Sequence, residues 1–354
     1  MASAADALSI TYEGKWATKM LLEPIFHSDD IMRHYTVYPN VKYKQNVLLA
    51  KGLNKIVMAN DGCSSTDNSG DGLTTSFDIE DKEVTVANCS VKQSQCWDTF
   101  YNEFIVESYR DGINMPDLSG TELANVIGNR VRKGVAQDVV RVMWGGDTAL
   151  TGNVTYSWTD GLFKLMAAGT VGQTTFNATS GTGQIAVGGT LVDTDVDALL
   201  AQVFDNAPAN LQQTPASEKR MFVTPNIYNT WYGLLTQVGQ TGAVDYSHSE
   251  AQSGANYNRL HFRGVEIVPM YEWDTIMTDD DPALWSVAAT NYKNGVVYAA
   301  KSNLIIASDV NDPSAQFKMF YDEVSDNMYI RSYFKIGYQY AYDSLAYTGL
   351  IINT

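Results

Sequence analysis

Apolar and polar residues alternate along two stretches of the chain. "VKYKQNVLL" places Val41 and Tyr43, then Val47 and Leu49, at strand spacing, and "KIVMA" follows Gly52. Beyond a Gly/Ser/Asp-rich segment, "SFDIEDKEVTVANC" alternates again through Phe77 and Ile79, then Val84 and Val86. A period of two marks strands with one buried face. Two such runs around a polar, Gly-rich centre predict a long β-hairpin with "DNSGDG" at or near its end.

The first 40 residues carry Leu8, Ile10, Tyr12, Trp16, Met20, Leu21, Leu22, Ile25, Phe26, Ile31 and Met32 without a sustained period of 3.6 or 2. Only Asp29–His34 fits a helical turn. Such an apolar segment must bury itself on the rest of the chain or on a neighbouring chain.

After the hairpin the period changes. "QCWDTFYNEFIVESYRDG" carries Trp97, Phe100, Tyr101, Phe104, Ile105 and Tyr109 at helical spacing and ends at Gly112. A longer helix is predicted from a Ser119 or Thr121 cap to Gly145. Leu123, Ile127, Val131, Val135, Val139 and Met143 recur every four residues on it and form one stripe. Its length would be roughly 35 Å. Next come a short helix in "DGLFKLMAAG", Gly/Thr-rich hairpin material to Val192, and an amphipathic helix from a Thr194 cap. "KRMFVTPNIYNTWYGLL" reads as strand, Pro225 turn and helix. "RLHFRGVEIVPM" reads as a hairpin turning at Arg263–Gly264. A second tight turn is predicted at Asn294–Gly295. In the tail, Tyr329, Arg331, Tyr333 and Lys335 face away from Ile330, Ser332, Phe334 and Ile336, as a one-sided strand requires.

Composition narrows the partners. The 354 residues are 45% hydrophobic and 18% charged, a globular balance. Gly (27) and Tyr (21) are plentiful, which suits strands and turns. The formal net charge of −16 repels nucleic-acid phosphate, so tight non-specific DNA binding is not expected. The densest basic cluster, Arg130, Arg132 and Lys133, lies on the long helix and reads as a solvated face. No apolar run reaches the ~20 residues that a bilayer-spanning helix needs, and no signal-peptide pattern opens the chain. The chain is expected to be soluble. Cys63, Cys89 and Cys96 make no disulfide framework and no zinc pair. In a reducing cytoplasm the sequons at Asn88, Asn153 and Asn177 carry no glycan.

Candidate chemistry is sparse. Gly181–Ala186 fits G-x-G-x-x-A, but the Val187–Gly188–Gly189 that follows cannot open the helix a pyrophosphate needs. His27, His34, His248 and His261 are far apart in sequence and read as structural or surface residues. The acidic run Asp279–Asp281 is polar throughout, without the apolar setting that acid–base carboxylates need. "DNSGDGLTTSFD" places oxygens at calcium-loop positions 1, 3, 5, 9 and 12, with Gly72 at position 6. It lacks flanking helices and a terminal Glu. It reads as a hairpin tip, and Asp67, Ser69, Asp71 and Asp78 are the ligands if a cation binds. No catalytic, cofactor or metal residue is assigned.

The order of segments resembles the major capsid protein of tailed bacteriophages, the Hong Kong 97-type fold, over nearly the whole chain. The local phrases are "FVTPNIYNTWYGLL", "FRGVEIVPM" and "FYDEVSDNMYIRSYFKIGYQYAY". The resemblance implies an α+β fold with an N-terminal arm (1–40), an extended loop (41–96) and a peripheral domain (97–150). The spine helix of that domain would run from Thr121 to Trp144. An axial domain (151–305) and a return to the peripheral β-layer (306–354) complete the expected layout. It also implies hexamers and pentamers closing into an icosahedral shell around double-stranded DNA, contacted non-specifically. Portal, scaffolding and decoration proteins are the implied partners, and the virion is the implied location. No charged helical prefix precedes the arm, so an uncleaved subunit is expected. No lysine lies between Lys55 and Lys82, so lysine–asparagine cross-linking is not carried over. Two alternatives stay open: an encapsulin-like compartment on the same fold, and a β-rich hydrolase or carbohydrate-binding protein. An arm and a protruding hairpin would then bury their apolar faces on neighbours, making assembly obligate.

Overall fold

The computed structural model describes residues 33–50, 79–96, 134–135, 137–150, 155–177, 191–240, 260–279, 294–309, 318–322 and 327–352. Their strands are β1 (Thr36–Tyr38), β2 (Lys44–Ala50), β3 (Ile79–Thr85), β4 (Ala87–Cys96), β5 (Gly172–Asn177), β6 (Lys219–Val223) and β7 (Leu260–Phe262). The later strands are β8 (Val265–Pro269), β9 (Gly295–Ala300), β10 (Leu304–Ser308), β11 (Lys318–Asp322), β12 (Asn327–Tyr340) and β13 (Ala346–Ile352). The helices are α1 (residues 134–145, position 136 aside), α2 (Leu162–Ala168), α3 (Asp193–Asp205), α4 (Ala209–Gln213), α5 (Pro225–Gln240) and α6 (Tyr271–Asp279).

Three sheets stack with two helical layers. The six-stranded sheet runs β5-β13-β9-β6-β8-β7 and mixes parallel and antiparallel pairs. Both of its faces are covered, which is why β6 and β9 are buried along their whole length. On one face Met221, Val223, Val296, Tyr298 and Ile351 pack under α3 and α5 through Leu199, Leu200, Val203, Ile227 and Trp231. On the other face Phe222, Val297, Ala299 and Leu350 meet Met143 and Trp144 of α1, Phe163 of α2 and Trp273 of α6. Trp144 and Trp273 are fully buried and meet edge to face, 4.9 Å between centroids.

The same core continues into a five-stranded sheet built around β12. The strand β12 pairs with β4 on one side and with β11 and then β10 on the other, and β1 runs parallel to β10. Ile330, Ser332, Phe334 and Ile336 are buried and Tyr333 is exposed, so the predicted alternation holds. The third sheet is the antiparallel pair β2–β3, which lies on the outer face of the five-stranded sheet.

Local expectations held in part. The stripe Val135, Val139 and Met143 of α1 is buried, and the helix ends at Gly145 as expected. Arg263 (φ 48°) and Gly264 (φ 83°) form the expected turn between β7 and β8. Glycine takes such angles without a Cβ penalty. Arg263 meets its cost at an unusual position for arginine with an ion pair to Asp205 (2.5 Å) and a place over the Phe204 and Phe262 rings.

Several boundaries differ. The helix α3 starts at Asp193 after Val192, with no side-chain cap, so Thr194 is not its cap. Asp193 and Asp195 in its first turn supply the negative charge that its N-terminus favours. Pro225 is the first residue of α5 rather than a separate turn, where its missing N–H costs nothing. Gly295 forms no tight turn; it opens β9 opposite Leu350. Gln95 and Cys96 end β4 rather than begin a helix, because all ten residues of β4 pair with β12. The expected extended loop therefore loses 87–96 to the sheet. The tail after 306 divides, with β12 in the five-stranded sheet and β13 in the six-stranded one.

Candidate assembly surface

The root of the expected hairpin is built from both strands, β2 and β3. The register runs from Lys44 opposite Thr85 to Ala50 opposite Ile79. On the inner face Leu49, Val84 and Val86 are buried against Ile305, Ala307 and Ala341, with Val41 completing the cluster. On the outer face Leu48 is 74% exposed; Tyr43, in the bend before β2 and expected at strand spacing with Val41, is 72% exposed instead. Around them Lys44 pairs with Glu83, Asn46 Nδ2 donates to Asp81 Oδ2 (3.0 Å), and Thr85 Oγ1 donates to Glu83 Oε1 (3.0 Å). The Lys44 and Thr85 hydrogen bonds lower the Glu83 carboxyl below its ordinary value.

The root is fastened to β12 by backbone and side chain. Val86 N–H donates to Tyr43 O (3.1 Å) and closes the pair. Lys335 Nζ donates to Lys42 O (3.1 Å), and Gln339 Nε2 donates to Glu83 O (3.0 Å). At Gly337 the hairpin backbone comes so close that an added Cβ would lie 2.2 Å from Thr85 O. Only glycine admits that approach.

One carboxylate gathers the neighbouring elements. Asp343 lies between β12 and β13. Its Oδ1 receives Lys82 Nζ from β3 at 3.2 Å. Its Oδ2 receives the Thr170 amide at 3.0 Å and the Thr170 hydroxyl in a short bond. Lys82 Nζ also sits 3.9 Å above the Tyr340 ring. Burial raises the Asp343 carboxyl, but the bonds from Thr170, Tyr340 and Lys82 outweigh it and hold it down at about 2.

The end of the N-terminal segment is also anchored within the chain. Arg33 and His34 are helical, and β1 adds to β10. Arg33 Nη2 reaches Glu266 Oε1 at 2.5 Å, and Arg220 Nε reaches Glu266 Oε2 at 3.2 Å. Glu266 and Arg220 are each 8% exposed. Tyr35 stacks on Phe222 (5.6 Å, 13°) and accepts a hydrogen bond from Trp144 Nε1 (3.3 Å). The expectation that arm and hairpin find no burial within one subunit is therefore corrected for the described residues. The end of the arm and the root of the hairpin bury their apolar side chains at home, and Tyr43 and Leu48 are left outside.

A further aromatic patch joins α5 and α6. Tyr228 and Tyr232 stand one turn apart on α5, near Tyr271 at the start of α6. Burial and the two neighbouring phenols raise the Tyr228 hydroxyl above its ordinary value.

The other residues singled out from sequence fall as follows. The Asp67, Ser69, Asp71 and Asp78 set, Gly181–Ala186, His27, His248, Cys63, Asp281 and the Arg130–Lys133 cluster lie outside the described residues. His34 packs edge-on to Tyr35 (6.4 Å) and Phe222 (6.1 Å). His261 stands opposite Glu266 on the neighbouring strand. Asp279 ends α6. Cys89 donates to Phe334 O (3.3 Å), and burial pushes its thiol well up, so it is a structural rather than a reactive thiol. Cys96 ends β4. Among the described residues no three His, Cys, Asp or Glu side chains gather as a metal ion would need, and no helix is long and apolar enough to cross a membrane.

Sequence reasoning missed Arg33, Lys82, Glu266 and Asp343. Glu266 carried a signal: a single carboxylate inside the apolar run "VEIVP" must be paired if it is buried. Asp343 carried none, because two of its donors, Lys82 and Thr170, come from distant parts of the chain.

No family model matches the chain, and no curated protein matches it. Solved structures do. A chain from the procapsid of satellite phage P4, determined with the size determination (Sid) protein, is 11% identical. That match covers 95% of this chain and 100% of the other, with a TM-score of 0.52. A chain from the capsid of cyanophage P-SCSP1u is 13% identical over 91% of this chain and 88% of its own, with a TM-score of 0.50. At these identities the similarity is one of fold.

Proposed function

We propose that this chain, which has the fold of a phage major capsid protein, is itself a shell subunit. It would assemble into hexamers and pentamers of an icosahedral capsid around double-stranded DNA. The observation that carries the reading is the extent of the match. The whole of a procapsid chain aligns with nearly all of this one. The role is structural, and no cofactor, metal or catalytic residue is assigned to it.

On this reading the segment before β1 is the arm, and β2 and β3 are the root of the extended loop. The helix α1 is the end of the spine. The five-stranded sheet is the peripheral layer and the six-stranded sheet the axial one. Tyr43, Leu48 and the hairpin beyond them meet neighbouring subunits. The net charge of −16 suits a wall that confines DNA without gripping it. Portal, scaffolding and decoration proteins would complete the particle.

Negative-stain microscopy of the purified full-length protein tests the proposal. Closed shells, or hexamers and sheets, are expected. Small discrete particles at every protein concentration would overturn it. Shells that co-purify with an enzyme and no DNA would instead identify an encapsulin-like compartment.

A further inference from the structure

The β2–β3 pair is fastened at the place where the two large sheets hand over to each other. The strand β12 belongs to one sheet, β13 to the other, and Asp343 stands in the turn between them. Its two oxygens face different elements: Oδ1 holds Lys82 of the hairpin, and Oδ2 holds Thr170 after α2. Thr170 lies just before β5, which pairs with β13 in the six-stranded sheet. Lys82 is held a second time by the ring of Tyr340, the last residue of β12. The hairpin, the end of one sheet and the edge of the other therefore share one carboxylate.

We propose that Asp343 is a latch that sets the direction of the hairpin according to the relative placement of the two sheets. Ionised carboxylates hold hydrogen bonds more strongly than neutral groups do, so one residue can hold three elements in register. If either sheet shifts, the carboxylate follows it, and Lys82 carries the shift into β3. Gly337 complements the latch by letting the hairpin backbone rest directly on β12. The inference concerns the hairpin root alone and rests on the shell reading only for its consequence in assembly.

Hydrogen exchange on the full-length protein tests it. Asp343→Asn and Lys82→Met should each speed exchange in 44–50 and 79–85 by about tenfold, while β6 and β9 keep their protection. Thr170→Val should speed exchange in the same two strands, although Thr170 does not belong to the hairpin. That remote effect is the signature of a latch as opposed to a local tether. Unchanged hairpin exchange in Lys82→Met and Thr170→Val would overturn the proposal, as would equal loss of protection across the whole chain in both. If Asp343→Asn fails to fold, the other two variants decide. Particle formation is read separately by negative stain. Wild-type shells with no change in variant hairpin exchange sink the latch alone, and no wild-type shells sink the shell reading alone.

Discussion

The end of the N-terminal segment, Arg33–Tyr38, and the β2–β3 pair are rooted differently in the body of this protein. The arm ends in a buried polar and aromatic socket: Glu266 between Arg33 and Arg220, and Tyr35 between Phe222 and Trp144. The hairpin rests on one apolar face and is otherwise fastened by half-exposed polar contacts, with Lys82 and Asp343 each 30% exposed. A buried ion pair that loses one partner leaves an uncompensated charge in the interior. A half-exposed pair that loses one partner returns to water at small cost. The arm root is thus built to stay, and the hairpin root is built to yield locally while the core remains folded.

The largest effect should come from the arm socket. Glu266→Ala leaves Arg220 and Arg33 without their carboxylate and should cost about 3–5 kcal/mol in chemical denaturation. A loss under about 1 kcal/mol would mean that the socket is solvated and the contrast false. Tyr35→Ala removes an aromatic that bridges α1 and β6 and should cost about 3 kcal/mol or more. Both changes should lower the melting temperature of the whole chain rather than loosen one element.

The hairpin root should respond to acid through Asp343. The Asp343 carboxyl is lowered from 3.8 to about 2 in the folded protein. Its stabilising contribution is complete above the unfolded value and is lost as pH falls through the folded one. Hairpin exchange, corrected for the intrinsic rate, should therefore stay constant from neutrality to about pH 4 and rise below it. A rise that begins near neutrality would place the latch on another group.

The smallest effect should be at the outer face. Lys44→Ala breaks the exposed pair with Glu83 and should leave thermal stability unchanged. Leu48→Ser should likewise leave the fold intact, because Leu48 is 74% exposed, and on the shell proposal it should weaken association. A fall in melting temperature for Leu48→Ser would show that Leu48 packs within its own chain.

Much of this architecture was legible in the residues. The period-four stripe of Val135, Val139 and Met143 gave a buried helix face. The alternation from Tyr329 to Ile336 gave a one-sided strand, and Arg263–Gly264 gave a hairpin turn. These are local patterns, set by neighbours in sequence. The pairing of β4 with β12 and the split of the tail between two sheets were not legible, since the first depends on partners more than two hundred residues away and the second on β5, 175 residues away. The burial of the arm end failed for a related reason. Tyr35 packs against Phe222 and Trp144, and β1 pairs with β10, all of them far away in sequence. Of the candidate surface, the hairpin was legible from its alternating strands. Asp343 was not, because a node is defined only when three elements converge.

Cryo-electron microscopy of the purified full-length protein tests the central claim most directly. The account predicts closed particles whose repeating unit contains the two sheets described here, with Tyr43 and Leu48 of each hairpin covered by a neighbouring subunit. Discrete monomers or small closed oligomers with Tyr43 and Leu48 facing solvent would contradict it.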